Sequence, residues 1–380
     1  MRFRPWLAPA VTAILLVVFT PLGTAQIVTL NLPAGSPADQ DLQAISKESD
    51  AAKQKTMYTE FVAKYAAEPM AAAYGYAQLA QLAFAAGDAK QALDYGEKSL
   101  AAEPGNLEMI VSEVQFAQAL KQPDKALEYA ARGAKAIQGI GTQPKPAGMS
   151  DEQFASDNDQ QKRSAQPSFE FLEGSAYAAL ANEKDPKRRM AHIQTFNESF
   201  QDSKYEGQVS QLAIWTLQQL GDPAGAVAYG EMVLSQKPDD LPVLVVMADI
   251  YADEKGGANL TKAVSYAQRA IAAAKPDAPD ADPARQLAAA IAQSALGRAL
   301  MRQNKMGAAV IALRKAAPAL KDNAQAYSTV LFYLANAYSL QREYGLAKQV
   351  LAEAVNVSGP YQQQSRTLLV KINAELAKGH

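Results

Sequence analysis

An all-α solenoid of helical hairpins is the fold this sequence predicts, and three observations carry the prediction. The string Gly87-Asp88-Ala89-Lys90-Gln91-Ala92-Leu93-Asp94-Tyr95-Gly96-Glu97-Lys98-Ser99-Leu100, closed by Pro104, is echoed from Gly221-Asp222 to Leu234, closed by Pro238. The shared Gly-Asp, Ala, Tyr-Gly-Glu, Leu and Pro positions fall about 134 residues apart, close to four units of a 34-residue helical-repeat period. Short Gly-Asp and Pro-Asp punctuation separates segments with helical periodicity along most of the chain. Alanine is abundant throughout, which suits long helices in close contact. A hairpin of this kind cannot bury its apolar face alone, so such units stack and share a continuous core.

Taken in order, the elements begin after a leader. Arg2 and Arg4, a mostly apolar run from Trp6 to Phe19, and small residues at Gly23-Thr24-Ala25 have the pattern of a cleaved secretory signal over residues 1–25. The run is shorter than the roughly 20 residues a spanning helix needs, so a membrane is expected as a partner only if the signal stays uncleaved. Residues 26–40, with Pro33, Gly35 and Pro37, read as an irregular lead-in. A helical cap and the first repeats follow over 41–137, with Tyr58, Phe61 and Tyr65 on one face of a helix running from Ser36 to about Ala67.

Helix pairs then span 72–86 with 89–102 and 107–120 with 125–137. Residues 138–168, rich in Gly, Pro, Ser and mixed charge, are expected to be an exposed loop insertion with room for one short helix around 151–155. Pairing resumes over 169–360 as 169–180 with 187–200, 209–220 with 224–235, 242–252 with 260–274, 285–302 with 306–317, and 324–340 with 344–355. Residues 361–380 form a polar capping helix, as a terminal repeat requires for solubility.

The letters inside these pairs resemble the tetratricopeptide repeat from about Ala71 to Pro360. Leu296-Gly297 with Leu300, Leu334-Ala335 with Tyr338, and Met247-Ala248 with Tyr251 place a small residue beside large ones on first helices. Ala309-Leu313-Ala316 and Ala347-Leu351-Ala354 do the same on second helices, and Ala263-Ala267-Ala270 and Ala92-Gly96-Ser99 keep small residues throughout. Two helices can cross closely only where a side chain is missing and its neighbours interdigitate. The resemblance implies a right-handed superhelical solenoid whose first helices line a concave binding trough.

Catalytic chemistry finds no footing. Cysteine is absent, which excludes disulfides, thiolate metal sites and thiol nucleophiles. The two histidines are His192 and His380, too few for a zinc site, and no Gly-x-Ser-x-Gly elbow or phosphate loop occurs. Gly139-Ile140-Gly141 is half of a dinucleotide fingerprint, and Asp157-Asn158-Asp159 lacks the Gly and distal Glu of a calcium loop. With 37 basic against 39 acidic side chains, no field favours nucleic acid. The sequence therefore predicts neither an enzyme nor a cofactor nor a metal.

Transferring the resemblance's register by the small residues places Tyr74, Gln81, Phe84, Gln115, Gln118, Phe171, Gln211, Trp215, Gln218, Asp249, Asp253, Arg298, Arg302, Phe332 and Asn336 in the trough. Trp215 and Arg298 are the expected anchors, because Trp and Arg dominate interface energetics. The Lys and Asn clamp that chaperone-tail-binding members of the family carry is absent at these positions. The expected function is a non-catalytic exported scaffold, periplasmic or secreted, that binds protein or peptide segments. An envelope glycan- or nutrient-binding protein on the same repeats is the alternative.

Overall fold

Helix boundaries follow from capping side chains and, at most hairpin turns, from one left-handed residue. The computed structural model describes residues 27, 29–254, 256–278 and 282–378, so the expected signal over residues 1–25 and His380 lie outside the described residues. Asp88 accepts from the Gln91 N–H at 2.9 Å and Asp222 from the Gly225 N–H at 2.8 Å. Asp50, Asn106, Asp185, Asp240, Asp282 and Asn323 cap other helices in the same manner. Gly87 and Gly221 take the left-handed conformation that the hairpin turn requires, at φ 83° and 78°. Lys121, Asn304 and Arg342 adopt it at the equivalent turns, at φ 55°, 61° and 64°, where a side chain makes it unfavourable.

The chain divides into two compact units, up to Ala176 and from Tyr177 onward. The first holds α1 (Pro37–Ile45), α2 (Ala51–Lys64), α3 (Pro69–Ala85), α4 (Ala89–Ala102), α5 (Leu107–Ala119), α6 (Pro123–Gln138) and most of α7 (Asp151–Asn182). Its core begins with Tyr58, Phe61, Val62 and Tyr65 packed on Ala71 and Leu79. The second holds α8 (Pro186–Ser199), α9 (Glu206–Gln219), α10 (Pro223–Gln236), α11 (Leu241–Asp253), α12 (Gly257–Ala274), α13 (Pro283–Arg302) and α14 (Met306–Ala316). It continues through a short 3-10 turn to α15 (Ala324–Leu340), α16 (Tyr344–Ala354) and α17 (Gln362–Lys378). No strand occurs among the described residues.

Close helix crossings sit where the sequence places small residues. A Cβ at Gly297 would lie 2.5 Å from Leu313 Cγ and 3.3 Å from the Ala309 carbonyl oxygen. A Cβ at Gly230 would collide with Met247 Sδ, and one at Gly96 with Glu113 Oε1. Each unit also repeats one polar clamp. In the first, Lys125 Nζ and the Tyr129 hydroxyl donate to Glu97 at 2.7 and 3.1 Å, while Arg132 donates to the Pro104 carbonyl at 2.9 Å. In the second, Lys262 Nζ and the Tyr266 hydroxyl donate to Glu231 at 2.8 and 2.7 Å, and Arg269 donates to the Pro238 carbonyl. The echoed Tyr-Gly-Glu and Pro are thus the half of a lock that Lys-x-x-x-Tyr-x-x-Arg on the next second helix completes.

The hairpin boundaries agree with the sequence reading to within a few residues, and three segments differ from it. The expected loop over 138–168 is helical from Asp151, where α7 runs for 32 residues through Pro167. Its first half is mostly exposed and rich in Gln and Asp, so no apolar stripe announces it. The lead-in over 26–40 already turns helical at Pro37, behind the Ser36 cap. The single helix expected from Ser36 to Ala67 is broken at residues 46–50, because Asp50 accepts from the Ala52 and Lys53 N–H groups and starts α2 afresh.

Candidate functional site

First helices of consecutive hairpins in the second unit present three stripes to one cavity of about 600 Å³. On α9 the stripe is Gln208, Gln211 and Trp215; on α11 it is Pro242, Val245, Val246 and Asp249; on α13 it is Arg285, Leu287, Ala288 and Ile291. Steps of three and four residues put each set on one helix face. Val245 and Val246 are buried and give the floor its apolar character, with Leu287, Ala288 and Ile291 half-buried beside them. Trp215 stands on the opposite wall with 45% of its surface exposed. The N-caps Asp282 and Asn323 and the exposed Arg285 make one end of the trough polar.

Charged residues gather beyond Asp249. Arg298 donates from Nη1 to Asp253 at 2.8 Å and from Nη2 to Asp249, and its guanidinium lies 5.9 Å from the Tyr333 ring centroid. Arg302 Nη1 donates to the carbonyl oxygens of Asp253 and Glu254 at 2.7 and 3.0 Å. Burial opposes the charge on Arg298, and the carboxylates of Asp249 and Asp253 more than offset it, so its pKa is held above the usual arginine value.

The expected trough residues divide by position. Gln211, Trp215 and Asp249 line the cavity together, and Gln218 is exposed one turn further along α9. Asp253 and Arg302 are exposed at the charged end. Arg298 differs from its expected role as an anchor: it is 3% exposed and committed to two carboxylates, so it positions Asp249 and Asp253 and does not itself reach into the trough. Phe332 stacks on Tyr361 at 4.8 Å and 10°, which makes it a packing contact for the C-terminal segment, and Asn336 is half-buried on the same helix.

In the first unit, Gln115 and Gln118 are exposed, Phe171 is half-buried, and Phe84 packs on the buried Phe116 ring at 4.7 Å. Tyr74 and Gln81 line a smaller cavity of about 210 Å³ on α3 and α5. His192 is buried on α8. Sequence reasoning missed Gln208, Val245, Leu287, Ala288 and Ile291. Gln208 could have been found by stepping back three residues from Gln211, whereas the others look like ordinary core positions.

No family model and no curated protein matches the chain. Among solved structures, the APC/C hetero-tetramer Cut9-Hcn1 aligns over 88% of this chain and 56% of that chain, at 15% identity and a TM-score of 0.45. This chain thus spans just over half the length of that relative. The TPR domain of P58(IPK) aligns over 90% of this chain and 99% of that one, at 14% identity and a TM-score of 0.34. The fold assignment rests on the hairpins themselves: first and second helices joined by a left-handed turn, with small residues at the crossings and a lock repeated in each unit. The chain is an all-α protein built of repeated helical hairpins.

Proposed function

We propose that the trough across α9, α11 and α13 binds a protein segment and that the chain acts as a non-catalytic scaffold. The observation that carries this reading is the exposed Trp215 facing an apolar floor inside a cavity of about 600 Å³. An aromatic ring left in water opposite valine and isoleucine side chains offers the desolvated centre that interface anchors occupy. Gln208, Gln211, Asp249 and Arg285 on the rim supply directed hydrogen bonds around it. The apolar floor favours a peptide side chain over a sugar, whose hydroxyls would go unpaired there. Export through the signal at residues 1–25, with Gln26 as the new N-terminus and a periplasmic or secreted setting, belongs to the same proposal. No helix among the described residues is long and apolar enough to cross a membrane.

Affinity capture from the native envelope, followed by titration of the recovered partner, tests the reading. Trp215→Ala is expected to weaken binding by about 2 kcal/mol or more while the melting temperature stays nearly unchanged. A mutant that melts several degrees lower, with binding that tracks only its folded fraction, would place Trp215 in the core instead. Mass spectrometry of the native chain that still found residues 1–24 would sink the export component.

A further inference from the structure

The first unit carries its own peptide across its first helices. In sequence, Val28, Leu30 and Leu32 alternate with Thr29 and Asn31, the pattern of an extended segment with one apolar side. Ile27 lines a cavity with Gly141, Pro144, Phe154 and Asn158 at the start of α7. Thr29 and Leu30 then lie over the faces of α3 and α5. Leu32 ends the path against the cluster of Tyr58, Phe61 and Leu79. Thr29 and Leu30 therefore lie on the same first-helix face that carries Tyr74 and Gln81.

The seat beneath this segment suits an extended backbone and is only partly filled. Tyr74, Ala77 and Met109 offer apolar surface, while Gln78, Gln81, Asn106 and Ser112 offer amide and hydroxyl groups. An extended chain presents an unpaired N–H or C=O at every residue, which side-chain amides can satisfy. Here Gln81 Nε2 instead donates to Ser112 Oγ at 3.0 Å. A void of about 210 Å³ remains between the segment and the helices. No hydrogen bond among the described residues ties 27 or 29–32 to α3 or α5. The segment is seated but not locked.

We propose that the α3–α5 face is a second peptide site, specific for extended, uncharged segments with aliphatic side chains at alternate positions, and that residues 29–32 are its resident, displaceable occupant. The inference shares with the proposed function the idea that first-helix faces bind peptides. It concerns a different unit and a different readout, so its failure leaves the Trp215 result standing.

The test uses the full chain and a fluorescent synthetic peptide with the sequence of residues 26–34. Leu30→Asp in the chain should dislodge the resident segment, because a carboxylate is poorly placed against Tyr74 and Met109. The labelled peptide is then expected to bind the Leu30→Asp chain about tenfold more tightly than the unaltered chain, the gain expected when a site open about a tenth of the time becomes fully open. Adding Tyr74→Ala should remove that gain, and a labelled peptide carrying the same Leu30→Asp change should not bind. Far-ultraviolet circular dichroism at the assay temperature should give the same helix content for the Leu30→Asp and unaltered chains. Equal binding to both chains, a gain that survives Tyr74→Ala, or a Leu30→Asp chain that has lost helix at that temperature would each overturn the proposal.

Discussion

Glu113→Met should stabilise the first unit, and the reason lies in the repeated crossing. Glu113 packs on Gly96 as Met247 packs on Gly230, so a carboxylic acid occupies a place that its counterpart fills with a thioether. Glu113 is 0% exposed and both of its carboxyl oxygens lack a hydrogen-bond partner. Leaving buried polar atoms unpaired costs about 1–3 kcal/mol, so replacement by Met should recover an amount in that range. Burial pushes the Glu113 carboxyl up to about 8, with Glu97 adding to the rise and Tyr129, Lys125 and Arg132 opposing it.

Because its folded pKa lies above the unfolded value, its contribution is fully present below an unfolded pKa of about 4.3 and is lost as pH climbs through the folded one. Between those limits the folded state retains a proton that the unfolded state has released. Stability therefore falls by at most about 1.4 kcal/mol per pH unit for this one group. Urea unfolding followed by far-ultraviolet circular dichroism, from about pH 5 to pH 9, measures the effect as the difference between the unaltered chain and Glu113→Gln. The difference should move against the unaltered chain as pH rises, and hydrogen exchange should localise it to α4 and α5. A difference that stays flat with pH, or a Glu113→Met chain less stable than the original at neutral pH, would refute the reasoning.

Two further substitutions test the helix crossings and turns. Gly297→Leu should lower stability by about 1–3 kcal/mol, read as a lower urea midpoint, since even a Cβ at that position meets Leu313 Cγ at 2.5 Å; an unchanged midpoint would show that α13 and α14 separate freely. Arg342→Gly should raise the melting temperature, with a gain of about 1 kcal/mol, because a left-handed φ of 64° burdens any residue with a Cβ. A fall would mean that the Arg342 side chain makes a compensating contact.

How far the sequence could be read depended on the range of the interactions. Helix limits at Asp88, Asp222 and Asp240 are written by caps three residues long, and local letters were enough to find them. The small residue at Gly297 announced its crossing because close approach admits few alternatives. Arg298 looked like an exposed anchor because its partners, Asp249 and Asp253, lie on another hairpin, and no periodicity within α13 reveals that pairing. The first half of α7 escaped notice because a helix polar on all sides has no stripe to detect. Trp215 was legible for the opposite reason: glutamines flank it at helical spacing, which core rings seldom tolerate. The apolar floor opposite it, from Val245 to Ile291, was hidden by looking like core.

Site-specific photo-cross-linking in the native cell tests the central claim most directly. A photoreactive residue at Gln211, on the trough rim, is compared with one at Ile311, which is 61% exposed on the second helix α14. The trough account predicts a discrete cross-linked protein from position 211, lost when Trp215→Ala is added, and none from position 311. Equal cross-linking from both positions, or a product at 211 that Trp215→Ala leaves intact, would contradict it.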